Sequence, residues 1–263
     1  MNKTPPKSAL KRRQSHMLPP PDQYQHSDPL LRRLRLIDGH GKPVNLKKAF
    51  RDTKIVIFYF GSQWNARETK GCQKYVTSIC RKYPHEVKTV YISVDVEAQN
   101  FELATRNKPW FAMVWNDGSS DDPSLESESS SSTESFLLAG DTDLDKSVVQ
   151  EDTAGTSYVR PFSRVYMADK FDVLMTPTLV VYHVPTQRVL DKHVRLSRLR
   201  SSRVEDTMSV WLDGRVSPSM NVVDMLYIAP WTVVFGFIAL LYLLLLVIGG
   251  DKYNLQRILA SWN

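Results

Sequence analysis

The chain has little cysteine, only Cys72 and Cys80 in 263 residues. Two thiols are too few for a disulfide framework and lack the paired spacing of a zinc site, so a reduced compartment is expected. No apolar stretch lies near Met1, which argues against a cleavable secretory signal. His85, His183 and His193 are scattered, with no spacing that places two on one metal, and no metal or other cofactor is expected. Acids are missing from the first 21 residues, where Lys3, Lys7, Lys11, Arg12 and Arg13 fall together. The formal charge of +6 therefore hides opposed segments, because residues 117–157 hold eleven acids and one lysine.

One long hydrophobic run is present. Residues 225–250, MLYIAPWTVVFGFIALLYLLLLVIGG, carry no charge and exceed the roughly 20 apolar residues that a membrane-spanning helix needs. At 1.5 Å per residue the run reaches about 39 Å against a hydrocarbon core of about 30 Å, which places Tyr227, Pro230 and Trp231 at the interface. Only residues 251–263 follow it, the layout of a single-pass, tail-anchored membrane protein. Lys252 and Arg257 beyond the span favour the opposite orientation by the positive-inside rule. A cytosolic N-terminal domain is expected nonetheless, because passing a thirteen-residue tail is easier than exporting some 220 residues. The endoplasmic reticulum and the mitochondrial outer membrane are the organelles this layout suits.

Residues 1–28 are rich in Pro, Lys, Arg, Gln and Ser and read as a disordered basic tail. A mitochondrial transit peptide is the alternative, opposed by Pro5 and Pro6. The segment 30–36 reads as a short strand before a turn and Leu46–Phe50. KIVIFYF at 54–60 is a continuous apolar run, the pattern of a central strand buried on both faces. A helix is expected over 66–83, with Cys72, Tyr75, Val76, Ile79 and Cys80 at helical spacing and Pro84 closing it. Strand 87–94, helix 100–107 and strand 110–115 follow, implying right-handed βαβ units. Residues 117–157 read as a disordered acidic insert, a solvated spacer or a substrate of acid-directed kinases at serines such as Ser119 and Ser131. A helix over 162–171, a hairpin of 179–183 with 189–194, and a helix through Val204, Met208, Trp211 and Leu212 complete one domain. Its expected bounds are 29–116 and 158–212, with a juxtamembrane linker at 213–224.

Three local features in this order resemble the tryparedoxin and nucleoredoxin branch of the thioredoxin fold. The central strand runs into Gly61, Ser62, Gln63 and Trp64. Lys108-Pro109-Trp110-Phe111-Ala112 is similar to that branch's proline-tryptophan segment. Met175-Thr176-Pro177-Thr178 before the strand LVVYH is similar to its cis-proline loop. The resemblance covers about residues 30–195 outside the insert, and implies an α/β, thioredoxin-like sheet flanked by helices.

In active members the tryptophan precedes Cys-x-x-Cys, with a thiolate at a helix N-terminus. Here the tetrad is Asn65-Ala66-Arg67-Glu68, so dithiol exchange has no sulfur at this position. Asn65 and Glu68 instead suit a capping box. Cys72 and Cys80 lie about 12 Å apart along one helix, beyond the roughly 7 Å that a disulfide allows. Thr69 and Cys72 resemble the Thr-x-x-Cys of peroxiredoxins and give the competing reading, a thiol peroxidase using Cys72. The expected function is a redox-inactive polypeptide-binding or scaffold module whose groove is Trp64, Thr176 and Pro177, with an unknown protein partner, a membrane and no nucleic acid. The basic residues Lys192, Arg195, Arg198, Arg200 and Arg203 read as lipid-facing or simply solvated.

Overall fold

The computed structural model describes residues 21–64, 66–120, 134–217 and 229–249; for Ala66, Arg67, Glu68 and Gly249 it describes the backbone alone. The start of the basic tail, the cluster Ser129–Ser132, most of the juxtamembrane linker, residues 225–228 and the C-terminal tail lie outside the described residues.

KIVIFYF forms the centre of the fold because every side chain in it is apolar, so both faces can be buried. Strand β2, Ile55–Gly61, is buried along its whole length. It pairs in parallel with β3, Val87–Ser93, and antiparallel with β5, Thr178–His183, in the register Phe58 to Val90 on one side and Phe58 to Val180 on the other. Two short strands, β1 (Leu36–Ile37) and β4 (Phe111–Met113), extend the sheet beyond β3, and β6 (Arg188–Asp191) closes the other edge. The resulting order is β1-β4-β3-β2-β5-β6.

Side chains alternate across β2. Ile55, Ile57 and Tyr59 enter one core with Cys72, Val76 and Ile79 of helix α2 (Ala66–Lys82), Phe101 of α3 (Ala98–Thr105), and Met208 and Trp211 of α6 (Val204–Leu212). Val56, Phe58 and Phe60 enter the opposite core with Leu46 of α1 (Leu46–Ala49), and Met167 of α5 (Arg164–Lys170) with the adjacent Phe171. A parallel βαβ unit followed by an antiparallel hairpin and a helix, sharing one central strand, is the thioredoxin-like α/β arrangement.

Three expectations need correcting. The described end of the tail expected to be disordered over 1–28 is ordered: Asp22–Tyr24 form a 3-10 turn, and Asp28 is buried and accepts from the Tyr182 hydroxyl at 2.8 Å. The segment 30–36 is mostly a 3-10 turn, Leu31–Arg33, fastened by Asp28, whose carboxylate accepts from the amides of Leu30 and Leu31 at 2.9 Å. The acidic insert is not a structureless spacer from Glu134 onward. Leu137 is fully buried in the second core and bridges Phe162, and residues Lys146–Glu151 form helix α4. Charges that suggest a solvated segment in the sequence face buried arginines in the fold. Arg33 is 2% exposed and donates to Asp143 at 2.8 and 3.0 Å; Arg32 reaches Asp152 at 3.3 Å; Arg35 pairs with Glu134. A buried guanidinium needs such carboxylates, since an unpaired one is strongly destabilising.

Helix α7, Pro230–Gly249, carries no charged residue and is long and apolar enough to cross a membrane, with mean hydropathy 2.7 over Pro230–Ile248. Proline at its first position is pre-organised for a helix start.

Removing the Asp143 carboxylate (Asp143→Ala) should lower stability by about 3 kcal/mol, because Arg33 stays buried. Burial pushes the Asp143 carboxyl up, but the hydrogen bond and charge of Arg33 outweigh it and hold it below the usual carboxylate range. Its contribution is therefore complete above about pH 4 and fades as pH falls through the lowered folded value. Urea unfolding in detergent micelles at pH 7 and pH 3 should show a large deficit for the variant at pH 7 and a smaller one at pH 3. Equal stability at pH 7 would contradict the pairing.

Candidate functional site

The turn after β2 is fixed from four sides. Gly61 must be glycine, because a Cβ there would lie 2.8 Å from Cε2 of Tyr91. Ser62, fully buried, places its Oγ 3.2 Å from Oγ1 of Thr176. The backbone carbonyl of Ser62 accepts from the hydroxyl of Thr69 at 2.7 Å. The amide of Gln63 donates to Asp95 at 2.8 Å, and the other oxygen of Asp95 accepts from the Ser93 hydroxyl at 3.0 Å. Across the turn, the Thr176-Pro177 peptide bond is cis, and the Thr178 hydroxyl donates to the carbonyl of Met175 at 2.7 Å.

The Ser62 to Thr176 contact joins two segments that carry large apolar side chains in solvent. Trp64 is 74% exposed, Met175 73% and Leu174 92%. Trp64, Thr176 and Pro177 are thus brought to one region of the surface. Asn65 lies outside the described residues, as do the side chains of Ala66, Arg67 and Glu68, so the expected capping box does too.

Cys72 faces the core from α2 and is fully buried. Burial pushes its thiol up to about 12, the reverse of what a thiolate nucleophile needs. Thr69 is also buried, and its hydroxyl is committed to the Ser62 carbonyl rather than free to hold a peroxide. The peroxidase reading is not favoured. Cys80 sits on the same helix with its Sγ 3.3 Å from Oγ1 of Thr89, and burial raises its thiol as well. Among the described residues, no cluster of His, Cys, Asp or Glu could hold a metal ion.

Three residues that sequence reasoning left without a role shape the neighbourhood. Arg164, 3% exposed, donates to Asp117, to the carbonyls of Ser93 and Trp115, and to the Ser120 hydroxyl at 2.7 Å. With Asp95 it borders a cavity of about 850 Å³ beside α3 and α5. The signal for Asp95 was present: an acid flanked by valines at the end of a buried strand. Asp117 was hidden in the acidic run.

No protein-family model and no curated protein matches the chain. Among solved structures, thioredoxin from Wuchereria bancrofti is 13% identical, with a TM-score of 0.40 over 69% of this chain and 96% of that one. Tryparedoxin I from Leishmania major is 15% identical, with a TM-score of 0.40 over 70% and 93%. Tryparedoxin II from C. fasciculata is 17% identical, with a TM-score of 0.43 over 69% and 93%. The fold assignment rests on the strand order and helix placement above, not on these scores.

With its thiol shielded, Cys72 should resist iodoacetamide at pH 7.5 in the folded chain and react once urea unfolds it. Rapid alkylation without denaturant, or hydrogen peroxide consumption at least tenfold faster than that of Cys72→Ser, would restore the peroxidase reading.

Proposed function

We propose that the domain binds extended polypeptide segments at a membrane surface and performs no dithiol chemistry. The observation that carries this reading is the exposed trio Trp64, Leu174 and Met175 around the Ser62 to Thr176 contact. Large apolar side chains exposed on two adjoining segments of a folded domain suit an interaction site, and aromatic and methionine side chains are enriched in interfaces. An extended segment laid along the 174–177 loop would pair with free backbone groups, a mode of recognition that requires no cysteine. The tetrad at 65–68 offers no sulfur, and Cys72 is packed away. On this reading dithiol chemistry has no sulfur at position 65 or 68, and the surface around Trp64 and Thr176 would serve polypeptide binding alone.

Helix α7 would hold the domain at the bilayer as a single-pass tail anchor. The domain would face the cytosol, at the endoplasmic reticulum or mitochondrial outer membrane. The two cysteines, both unpaired, suit a reducing compartment.

The test places a photoreactive amino acid at position 64, 175 or 47 in the full chain held in nanodiscs within a cell extract. Adducts with polypeptide are expected from positions 64 and 175 and not from exposed position 47 on α1. With the photoreactive group at 175, Trp64→Ala should lower the yield at least tenfold. The unmodified chain should leave insulin disulfides intact. Equal yields at all three positions, or insulin reduction, would contradict the proposal.

A further inference from the structure

The cavity of about 850 Å³ is lined by Asp95, which also holds the Gln63 amide of the turn, and its lining has a definite chemistry. Its walls include Val94, Val96, Ala98, Val165 and Ala168, which offer aliphatic contact. Its charged groups are Asp95, Glu97 and Arg164. Arg164 is already neutralised by the buried carboxylate of Asp117, with Nε and Oδ2 3.2 Å apart, and its remaining donors go to backbone carbonyls and Ser120. Among the described residues, Asp95 and Glu97 have no such compensation. Among the described residues Asp95 accepts from the Gln63 backbone amide and the Ser93 hydroxyl, and Glu97 accepts from the Asn100 side-chain amide at 3.3 Å. Among the described residues neither makes an ion pair. Ser119 and Ser120 also line it, their hydroxyls already accepting from the Val165 amide and Arg164.

An apolar wall with two uncompensated carboxylates fits a side chain with an aliphatic stem and a cationic head. We propose that this cavity takes a lysine or arginine side chain of the polypeptide lying in the Trp64 groove, with Glu97 receiving the charge at the mouth. The inference rests on the polypeptide-binding reading and adds its specificity. Continuity is supplied by Asp95, which lines the cavity and also holds the Gln63 amide, one residue from Trp64. An acidic side chain is refused by the same two carboxylates. An apolar side chain gains the walls but not the charge contact.

The experiment uses the full chain immobilised in nanodiscs and pools of decapeptides with randomised flanks. One central residue is fixed as lysine, arginine, glutamate or norleucine. Norleucine keeps the aliphatic stem and lacks the charge. Retained peptide is quantified by mass spectrometry, and a carbodiimide then fuses neighbouring amines and carboxylates so that contacts can be mapped. Retention of the lysine and arginine pools should exceed that of norleucine and glutamate at least tenfold at low salt, and the lysine pool should crosslink to Glu97. Glu97→Lys, a change at an exposed position, should remove that preference without lowering norleucine retention. Trp64→Ala should lower retention of every pool. Equal retention of the four pools that still depends on Trp64 would overturn the basic pocket and leave the groove standing. Retention of none of them would overturn both. A lysine preference unchanged in Glu97→Lys and crosslinked elsewhere would place the basic side chain outside this cavity and overturn the assignment.

Discussion

Four arginines are buried among the described residues, and each takes a carboxylate from the acidic stretch 117–157. Arg164 holds Asp117, Arg35 holds Glu134, Arg33 holds Asp143 and Arg32 holds Asp152. Three of the four guanidiniums also lie over an aromatic ring: Arg164 over Trp115 at 4.0 Å, Arg35 over Tyr24 at 4.1 Å and Arg33 over Phe162 at 4.2 Å. A buried cation without its partner is costly, so the acids cannot leave while the arginines stay inside. These four acids are the charge complement of the buried arginines.

Arg164 carries this constraint to the candidate site. Its guanidinium ties the end of β3 at the Ser93 carbonyl, the residue Trp115 after β4, and the start of α5. Two residues beyond Ser93, Asp95 holds the Gln63 amide of the turn that presents Trp64. Trp64 therefore follows a turn held by a polar network that reaches a buried ion pair, and the Ser62 to Thr176 contact ties the 174–177 loop to that turn. These contacts hold the turn from Gly61 to Trp64, and the tetrad that follows it in the sequence, Asn65-Ala66-Arg67-Glu68, contains no sulfur.

Local pattern carried much of the architecture. An unbroken apolar run gave β2, helical spacing from Cys72 to Cys80 gave α2, and Leu179 to His183 followed by Val189 gave the closing hairpin. Segment 134–157 was misread because its order comes from partners about 100 to 120 residues away, such as Arg33 for Asp143 and Arg32 for Asp152, which no local window contains. The same arginines sit in LRRLR at 31–35, whose apolar spacing suggested a strand while its cations were turning toward the insert. At the candidate site, Trp64 and the Thr176-Pro177 loop were legible as separate segments, and the Ser62 to Thr176 contact brings them together. Asp95, Asp117 and Arg164 stayed hidden because a charge gains its meaning from what surrounds it after folding.

The claim that the acidic segment is a structural part of the domain can be tested by hydrogen exchange on the full chain, read by mass spectrometry across residues 134–163. Leu137 donates its amide to Pro161, Phe162 to Arg33 and Ser163 to Leu137. These amides should exchange as slowly as those of β2 and collapse together with β2 as urea is added, because they open only when the domain does. Exchange at unfolded-chain rates across 134–157, with β2 still protected, would mean that the acids are a solvated spacer and the account is wrong.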